Sequence, residues 1–214
     1  MHKLIIFDLD GTLIDSIPDL TDAVNHMRAT FSLSLLSQAE VTSLVGEGAM
    51  RLVEEALPGF KRADLQKGLE CFLDYNFRHI IDKTGLYPDV SETLDILKDK
   101  GYVLAVASNK SELHCKEILR LLQADHYFSA ILGAESAAER KPSPAPIIQL
   151  MQQFGVTRSE TVMVGDSIND IKAGKSAGVL TIGCTFGYGT SDELKDADGT
   201  VSSLRQVVTF LSRY

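Results

Sequence analysis

Residues 4–7, Leu-Ile-Ile-Phe, are apolar at both odd and even positions, and the run stops at Asp8. A strand with one wet face alternates apolar and polar side chains. A strand that is apolar throughout is covered on both faces, as in the middle of a parallel sheet. Parallel strands need crossover connections, usually helices, so this one stretch already predicts an α/β chain. Similar short runs follow at 102–107, 130–132, 161–164 and 179–182, with helical patterns between them. Asp89, with Glu92 three residues on, reads as a capping box ahead of the stripe Val90, Leu94 and Leu97. Gly101 reads as the stop of that helix and Ser111 as the cap of the next. Ser143-Pro144 marks a further helix start, and Leu204, Val207, Val208 and Leu211 make a final amphipathic stripe. The expected fold is α/β: a doubly wound, Rossmann-like, mostly parallel sheet.

One region interrupts the alternation. Between about residues 19 and 83 no strand pattern occurs. Ser37 and Glu40 make a capping box, Met50, Val53 and Leu57 share a helical face, and Leu65, Leu69, Phe72, Leu73 and Ile80 form a longer stripe. Roughly four helices are expected here. The predicted domains are an α/β core, residues 1–15 with 86–214, and an inserted α-helical cap, residues 16–85. Turn-rich sequence at 15–18 and 84–88 suits a hinge at the two crossings.

A chain of 214 residues, 44% hydrophobic, suffices for one good core plus a small second unit. The net charge of −8, with no basic stripe, argues against nucleic acid as a partner. No apolar run approaches the ~18 residues of a membrane span, and no signal-peptide pattern is present. The expectation is therefore no membrane partner and a cytoplasmic location. Cys71, Cys115 and Cys184 are scattered without a C-x-x-C, a reduced pattern in which core packing is their expected role. His2, His26, His79, His114 and His126 lack zinc spacing and read as surface or satisfied histidines. Monomer and homodimer both remain open.

In a parallel sheet, ligands bind outside the carboxyl ends of the strands. The first strand is followed there by Asp8 and Asp10, the second by Ser108, Asn109 and Lys110, the third by Lys141-Pro142, and the fourth by Gly165-Asp166 with Asn169 and Asp170 beyond. Positions i and i+2 of a strand share a face, so Asp8 and Asp10 repel unless a positive charge sits nearby. Asp-Gly-Thr alone is turn chemistry, and Asp166 and Asp170 could be a strand end and a helix cap. Ser108 could be a cap, and Lys141 a solvated loop charge. If the strands are neighbours, one hard divalent cation resolves the repulsion of all these acids. Mg²⁺, bound by carboxylates, waters and a phosphate, fits that donor set. Ser108 would then donate to a phosphate oxygen, Lys141 would neutralise it, and Asn109 would orient the substrate. "AGKS" at 173–176 lacks the first glycine of a P-loop, and "GEGAMR" at 46–51 lacks the third glycine of a dinucleotide fingerprint.

The ordered set "DLDGT" (8–12), "SN" (108–109), "KP" (141–142) and "GDSIND" (165–170) resembles the four motifs of the haloacid dehalogenase superfamily. The helical insertion after the first motif resembles the cap of its phosphatase branch. "VGEGAMRLVEEAL" (45–57) and "GCTFGYG" (183–189) are similar to the branch's phosphoglycolate phosphatases, with one departure: Glu47 stands between the cap glycines, where that pattern usually has an uncharged residue. The resemblance implies a Mg²⁺-dependent phosphatase acting on a small phosphorylated metabolite, with 2-phosphoglycolate as the best guess. Asp8 would be the nucleophile that forms an aspartyl-phosphate, and Asp10 the general acid and base. The metal would rest on Asp8, the Asp10 backbone carbonyl and Asp166, with Asp170 in the outer shell. Lys141, Ser108, Asn109, Gly11 and Thr12 would serve phosphate or substrate. Gly46 and Gly48 would offer backbone amides at a helix N-terminus, with Arg51 one turn on.

Alternatives remain within and beyond that family. A sugar phosphomutase would use the same intermediate, and a pyrophosphatase the same site. A receiver-like signalling domain also combines aspartates, a Ser/Thr, a Lys-Pro and Mg²⁺. Against the receiver stand the helical insertion and the second carboxylate, Asp10.

Overall fold

The structure is a computed structural model that describes residues 3–213; His2 lies outside the described residues. The chain divides into two compact units, Met1–Asp15 with Leu86–Tyr214 and Ser16–Gly85.

The first unit is built on six parallel strands. These are β1 (Leu4–Phe7), β4 (Val103–Ala107), β5 (Ala130–Leu132), β6 (Thr161–Gly165), β7 (Leu180–Cys184) and β8 (Gly199–Val201). Two short strands, β2 (Ile14–Asp15) and β3 (Gly85–Leu86), pair separately. The large sheet runs β5-β4-β1-β6-β7-β8, and every neighbouring pair is parallel. All four residues of β1 are fully buried, as the unbroken apolar run requires. Leu4 and Ile6 join a core with Ile147 and Leu150 of α7 (Ala145–Phe154) and Ala173 and Ala177 of α8 (Ile168–Ala177). Helices α5 (Val90–Asp99), α6 (Glu112–Leu121) and α9 (Arg205–Leu211) complete the unit.

β1 pairs with β4 on one side and β6 on the other, with Phe7 opposite Val106 and Val164. The strand order therefore reverses beside β1. Asp8, Ser108 and Asp166 leave neighbouring strands at the same edge of the sheet, at the switch point where open α/β sheets place their ligands.

Two local expectations need correction. Asp89 does stand at the N-cap of α5, but in the left-handed conformation (φ 64°) and with no side-chain cap bond. Its carboxylate is therefore not part of a capping box. β8, only three residues long, was not expected. It sits at the sheet edge, where Gly199 would carry a Cβ 2.1 Å from the Phe210 ring, so that glycine lets α9 pack closely. The Ser111 cap holds: its hydroxyl accepts from the His114 amide. Gly101, at φ 84°, follows α5 as expected. The "AGKS" stretch lies inside α8 and is no phosphate loop.

The second unit contains four helices, α1 (Ile17–Thr30), α2 (Gln38–Thr42), α3 (Ala49–Ala56) and α4 (Arg62–Arg78). Leu20, Val24 and Met27 of α1 meet Val53, Leu57 and Phe72 in its core. The Ser37–Glu40 capping box is formed in both directions. Buried Asp19 gathers the two ends of the unit, because its carboxylate accepts from the amides of Lys83 (3.0 Å) and Thr84 (2.8 Å) and from the Thr84 hydroxyl (2.7 Å). A helical unit whose ends are tied in this way can be inserted into a strand-to-strand connection without disturbing the sheet.

Candidate active site

Asp8 leaves β1 and Asp166 leaves β6, and β1 and β6 are hydrogen-bonded neighbours. Asp170 lies in the first turn of α8. Ligand atoms of these three buried carboxylates all lie within 4.8 Å of one another. Lys141, 3% exposed, sends its ammonium between two of them: Nζ is 2.6 Å from Asp170 Oδ1 and 2.9 Å from Asp8 Oδ1. The solvated-loop alternative for Lys141 is thereby excluded. Burial opposes its charge, but Asp170 and Asp8 outweigh that cost and raise its pKa.

Each carboxylate is held differently. The Asp170 Oδ2 accepts from the Ser167 amide (3.0 Å) and hydroxyl (2.7 Å), completing a capping box on α8, while Oδ1 accepts a hydrogen bond from the Lys141 ammonium. The cap reading of "GDSIND" is thus correct for Asp170, which serves Lys141 as well. Asp166 accepts from the Thr12 hydroxyl (2.8 Å) and the Tyr188 amide (2.7 Å). Asp8 Oδ1 is buried and receives no aligned hydrogen bond, since the Lys141 ammonium stands close by but off the line that a hydrogen bond needs.

Glycines let the backbone close around this cluster. Gly11 has φ 81°, and a Cβ there would sit 2.2 Å from an Asp166 oxygen. At Gly187 a Cβ would meet Asp166 Cβ and the Gly11 carbonyl oxygen, both at 2.3 Å. No side chain fits either place.

Ser108 and Asn109 are buried at the end of β4. The Ser108 hydroxyl accepts from the Lys110 amide (3.3 Å), and helix α6 is capped by Ser111 instead. Asn109 Nδ2 donates to the Lys141 carbonyl oxygen (2.9 Å), so it holds the loop that carries the lysine. Thr12, expected on the phosphate, commits its hydroxyl to Asp166. Asp10 faces Lys110, whose Nζ lies 3.0 Å from Asp10 Oδ2. Gly46, Gly48 and Arg51 belong to the second unit. There Gly46 and Gly48 have φ 126° and 84°, and Gly48 precedes α3. Arg51 pairs with Glu55 (2.8 Å), Glu54 (3.6 Å) and Glu47 (4.0 Å).

Two participants were not foreseen. Lys110 stood in the quoted turn, but its partner, Asp10, lies far away in sequence. The Gly187-Tyr188-Gly189 segment carries a signal, since paired glycines mark close backbone approach; its target, Asp166, is visible only in three dimensions.

The cluster is short of positive charge. Burial, followed by the neighbouring Asp170 and Asp10, pushes the Asp8 carboxyl up to about 6 against the pull of Lys141. Burial, followed by Asp170 and Asp8, pushes Asp166 up to about 8 despite its two donors. These residues fit a hard dication: they offer buried anionic oxygens, one of them without a hydrogen-bond donor, and no soft ligand.

Both carboxyls bind protons more tightly folded than unfolded, where their ordinary value is 3.8. Their favourable contribution is complete below that value and is lost as pH rises through the folded values. In EDTA the melting temperature should therefore fall between pH 5 and pH 8.5, by the equivalent of a few kcal/mol at about 1.4 kcal/mol per pKa unit. Added Mg²⁺ should raise it more at pH 8.5 than at pH 5. Thermal melts in a two-by-two design would read this, and equal Mg²⁺ stabilisation at both pH values would refute metal binding by these acids.

The haloacid dehalogenase-like hydrolase family profile matches residues 5–184. The phosphoglycolate phosphatase of Haemophilus influenzae (strain ATCC 51907 / DSM 11121 / KW20 / Rd) is 40% identical over 204 residues, covering 92% of this chain and 91% of its own. The phosphoglycolate phosphatase of Neisseria meningitidis serogroup A is 40% identical over 203 residues, covering 92% and 86%. Among solved structures, a predicted phosphoglycolate phosphatase from Haemophilus somnus 129pt superposes with a TM-score of 0.94 at 34% identity, over 98% of both chains. These matches set aside the receiver-like reading. The match spans β1 through β7, the stretch that contains all four clustered motifs, and the chain belongs to the haloacid dehalogenase-like hydrolase family, as a phosphoric monoester hydrolase.

Proposed function

We propose that the protein is a Mg²⁺-dependent phosphatase that hydrolyses a small phosphomonoester, 2-phosphoglycolate first among candidates, through an aspartyl-phosphate on Asp8. The observation that supports this reading is the buried Asp8 carboxylate, 2.9 Å from the Lys141 ammonium and clustered with Asp166 and Asp170. A buried carboxylate at the strand end, with a cation beside it to draw in a phosphate, is suited to attack phosphorus.

In the first step an Asp8 oxygen forms a bond to phosphorus and the ester P–O bond breaks. The electron pair goes to the leaving oxygen, which takes a proton from Asp10. In the second step water attacks the phosphorus and gives its proton to Asp10, and the Asp8–phosphorus bond breaks to return the carboxylate. Proton transfer of this kind is typically worth ~10²–10⁴-fold in rate. Lys141 and the Ser108 hydroxyl bind the transferring phosphoryl oxygens, and Asn109 keeps the Lys141 loop in place. Asp8, the Asp10 backbone carbonyl and Asp166 would hold the metal, with Asp170 behind them. When bound, Mg²⁺ supplies the positive charge that lets an anionic acid meet an anionic ester.

The second unit would serve as a cap that keeps bulk water from the site. The choice of 2-phosphoglycolate rests on the names of the relatives. Three free cysteines, two of them buried, suit the reducing cytoplasm. Among the described residues no helix is long and apolar enough to cross a membrane.

Phosphate release across small phosphorylated metabolites tests the proposal. Turnover of 2-phosphoglycolate should exceed that of the others, EDTA should abolish it, and Mg²⁺ should restore it. Preferred hydrolysis of pyrophosphate, or isomerisation of a hexose 1-phosphate without phosphate release, would overturn the substrate. EDTA-insensitive turnover would overturn the metal.

A further inference from the structure

We infer that the Gly187–Tyr188 backbone and the Thr12 hydroxyl are positioning elements for Asp166: they grip its carboxylate from two sides and fix it as a metal ligand. The segment after β7 thereby becomes part of the metal site. This rests on the proposed role of Asp166 in holding Mg²⁺.

Asp166 follows β6, which lies between β1 and β7 in the sheet. One donor comes from each side. Thr12, in the turn after β1, donates its hydroxyl to Asp166 Oδ1 (2.8 Å), and the Tyr188 amide, in the segment after β7, donates to Oδ2 (2.7 Å). Both oxygens are held, so the carboxylate plane cannot turn without breaking one of these bonds. An ionised carboxylate has about four lone-pair sites, so two donors fix the group and leave acceptor capacity for a cation. Asp166 and Thr12 are both buried, and bulk water does not stand in for a lost donor.

The backbone keeps the amide where it is needed. Glycines flank Tyr188, and a Cβ at Gly187 or Gly189 would overlap atoms of Asp166. The segment is anchored on either side of that approach. The Thr185 amide donates to the Val201 carbonyl oxygen (2.9 Å), and the Phe186 ring meets Tyr87 edge to face with centroids 5.1 Å apart. Beyond Gly189, the Thr190 amide donates to the Glu193 carboxylate (2.6 Å).

Removing a donor acts on a metal ligand in two opposing ways. The carboxylate becomes more basic, which favours coordination, and it becomes free to turn, which disfavours it. Orientation is the larger effect where the ligand is buried: loss of an outer partner typically costs roughly 10–100-fold in metal affinity.

The test is calorimetric titration of Mg²⁺ into metal-stripped protein without substrate, so that no turnover enters the readout. Thr12→Val, which keeps the shape and removes the hydroxyl, should raise the Kd for Mg²⁺ at least about tenfold, and Thr12→Ser should restore most of the affinity. Gly187→Ala, which forces the segment off Asp166 and leaves Thr12 intact, should weaken binding to a similar degree. Asp166→Asn is the reference. If it leaves Mg²⁺ affinity within about threefold of the parent, Asp166 is no ligand, and the metal reading and the inference fall together. If Asp166→Asn weakens binding but Thr12→Val or Gly187→Ala raises Kd by less than about tenfold, or lowers it, the two-sided grip is wrong and the metal site stands. Failure of Thr12→Ser to restore affinity would also overturn the inference, because the hydroxyl is then not what matters. Each variant is titrated at a temperature where its own melt shows it folded, and Thr12→Val with Thr12→Ser decides the matter if Gly187→Ala does not fold.

Discussion

Asp8→Asn should reduce phosphate release by at least about 1,000-fold while leaving the protein folded. The amide is a poor nucleophile, and removing the attacking group of a catalytic unit commonly costs several orders of magnitude. Asp8 is one of three carboxylates clustered together, with a single buried ammonium beside it, and its burial already pushes its pKa to about 6. A neutral side chain of the same shape relieves that crowding. In the absence of metal, the Asp8→Asn variant should therefore melt no lower than the parent protein. Activity and stability should move in different directions. Phosphate release within tenfold of the parent would remove Asp8 as the nucleophile, whatever the melt shows.

Lys141→Met should be the most damaging of the single substitutions for stability. Lys141 is buried against Asp170 and Asp8. Breaking a buried ion pair by removing one partner costs about 3–5 kcal/mol, because the remaining charge stays buried and unpaired. For a chain of this size that corresponds to a fall of roughly 10 °C in melting temperature. Lys141→Met combined with Asp170→Asn should recover much of the stability, since the closest stranded carboxylate has become neutral. It should recover none of the activity, since the phosphoryl group still lacks its cation. Melts in EDTA with parallel phosphate-release assays would read both. If the double variant melts as low as the single one, the Lys141–Asp170 pair is not what stabilises this corner of the protein.

Most of this site was open to reading because its parts lie next to strands. An apolar run that stops at an acid marks the end of a buried strand, and parallel strands all end at one edge. Asp8, Ser108, Lys141 and Asp166 could therefore be gathered from four distant stretches. Asp89 and β8 were misread for local reasons. A capping aspartate and a left-handed turn aspartate look alike in sequence, because both exploit a short polar side chain. Gly199–Val201 is too short to show any period.

The sequence alone determined the α/β class, the parallel sheet and the acids at its edge, because burial on both faces and side-chain alternation are one-dimensional patterns. Only the tertiary structure decided who partners whom. It placed Lys110 on Asp10, the Thr12 hydroxyl and the Tyr188 amide on Asp166, and Gly11 and Gly187 where a Cβ would collide with that same acid. Ion pairs and close approaches depend on distances of a few ångströms between residues far apart along the chain, and no local period records them.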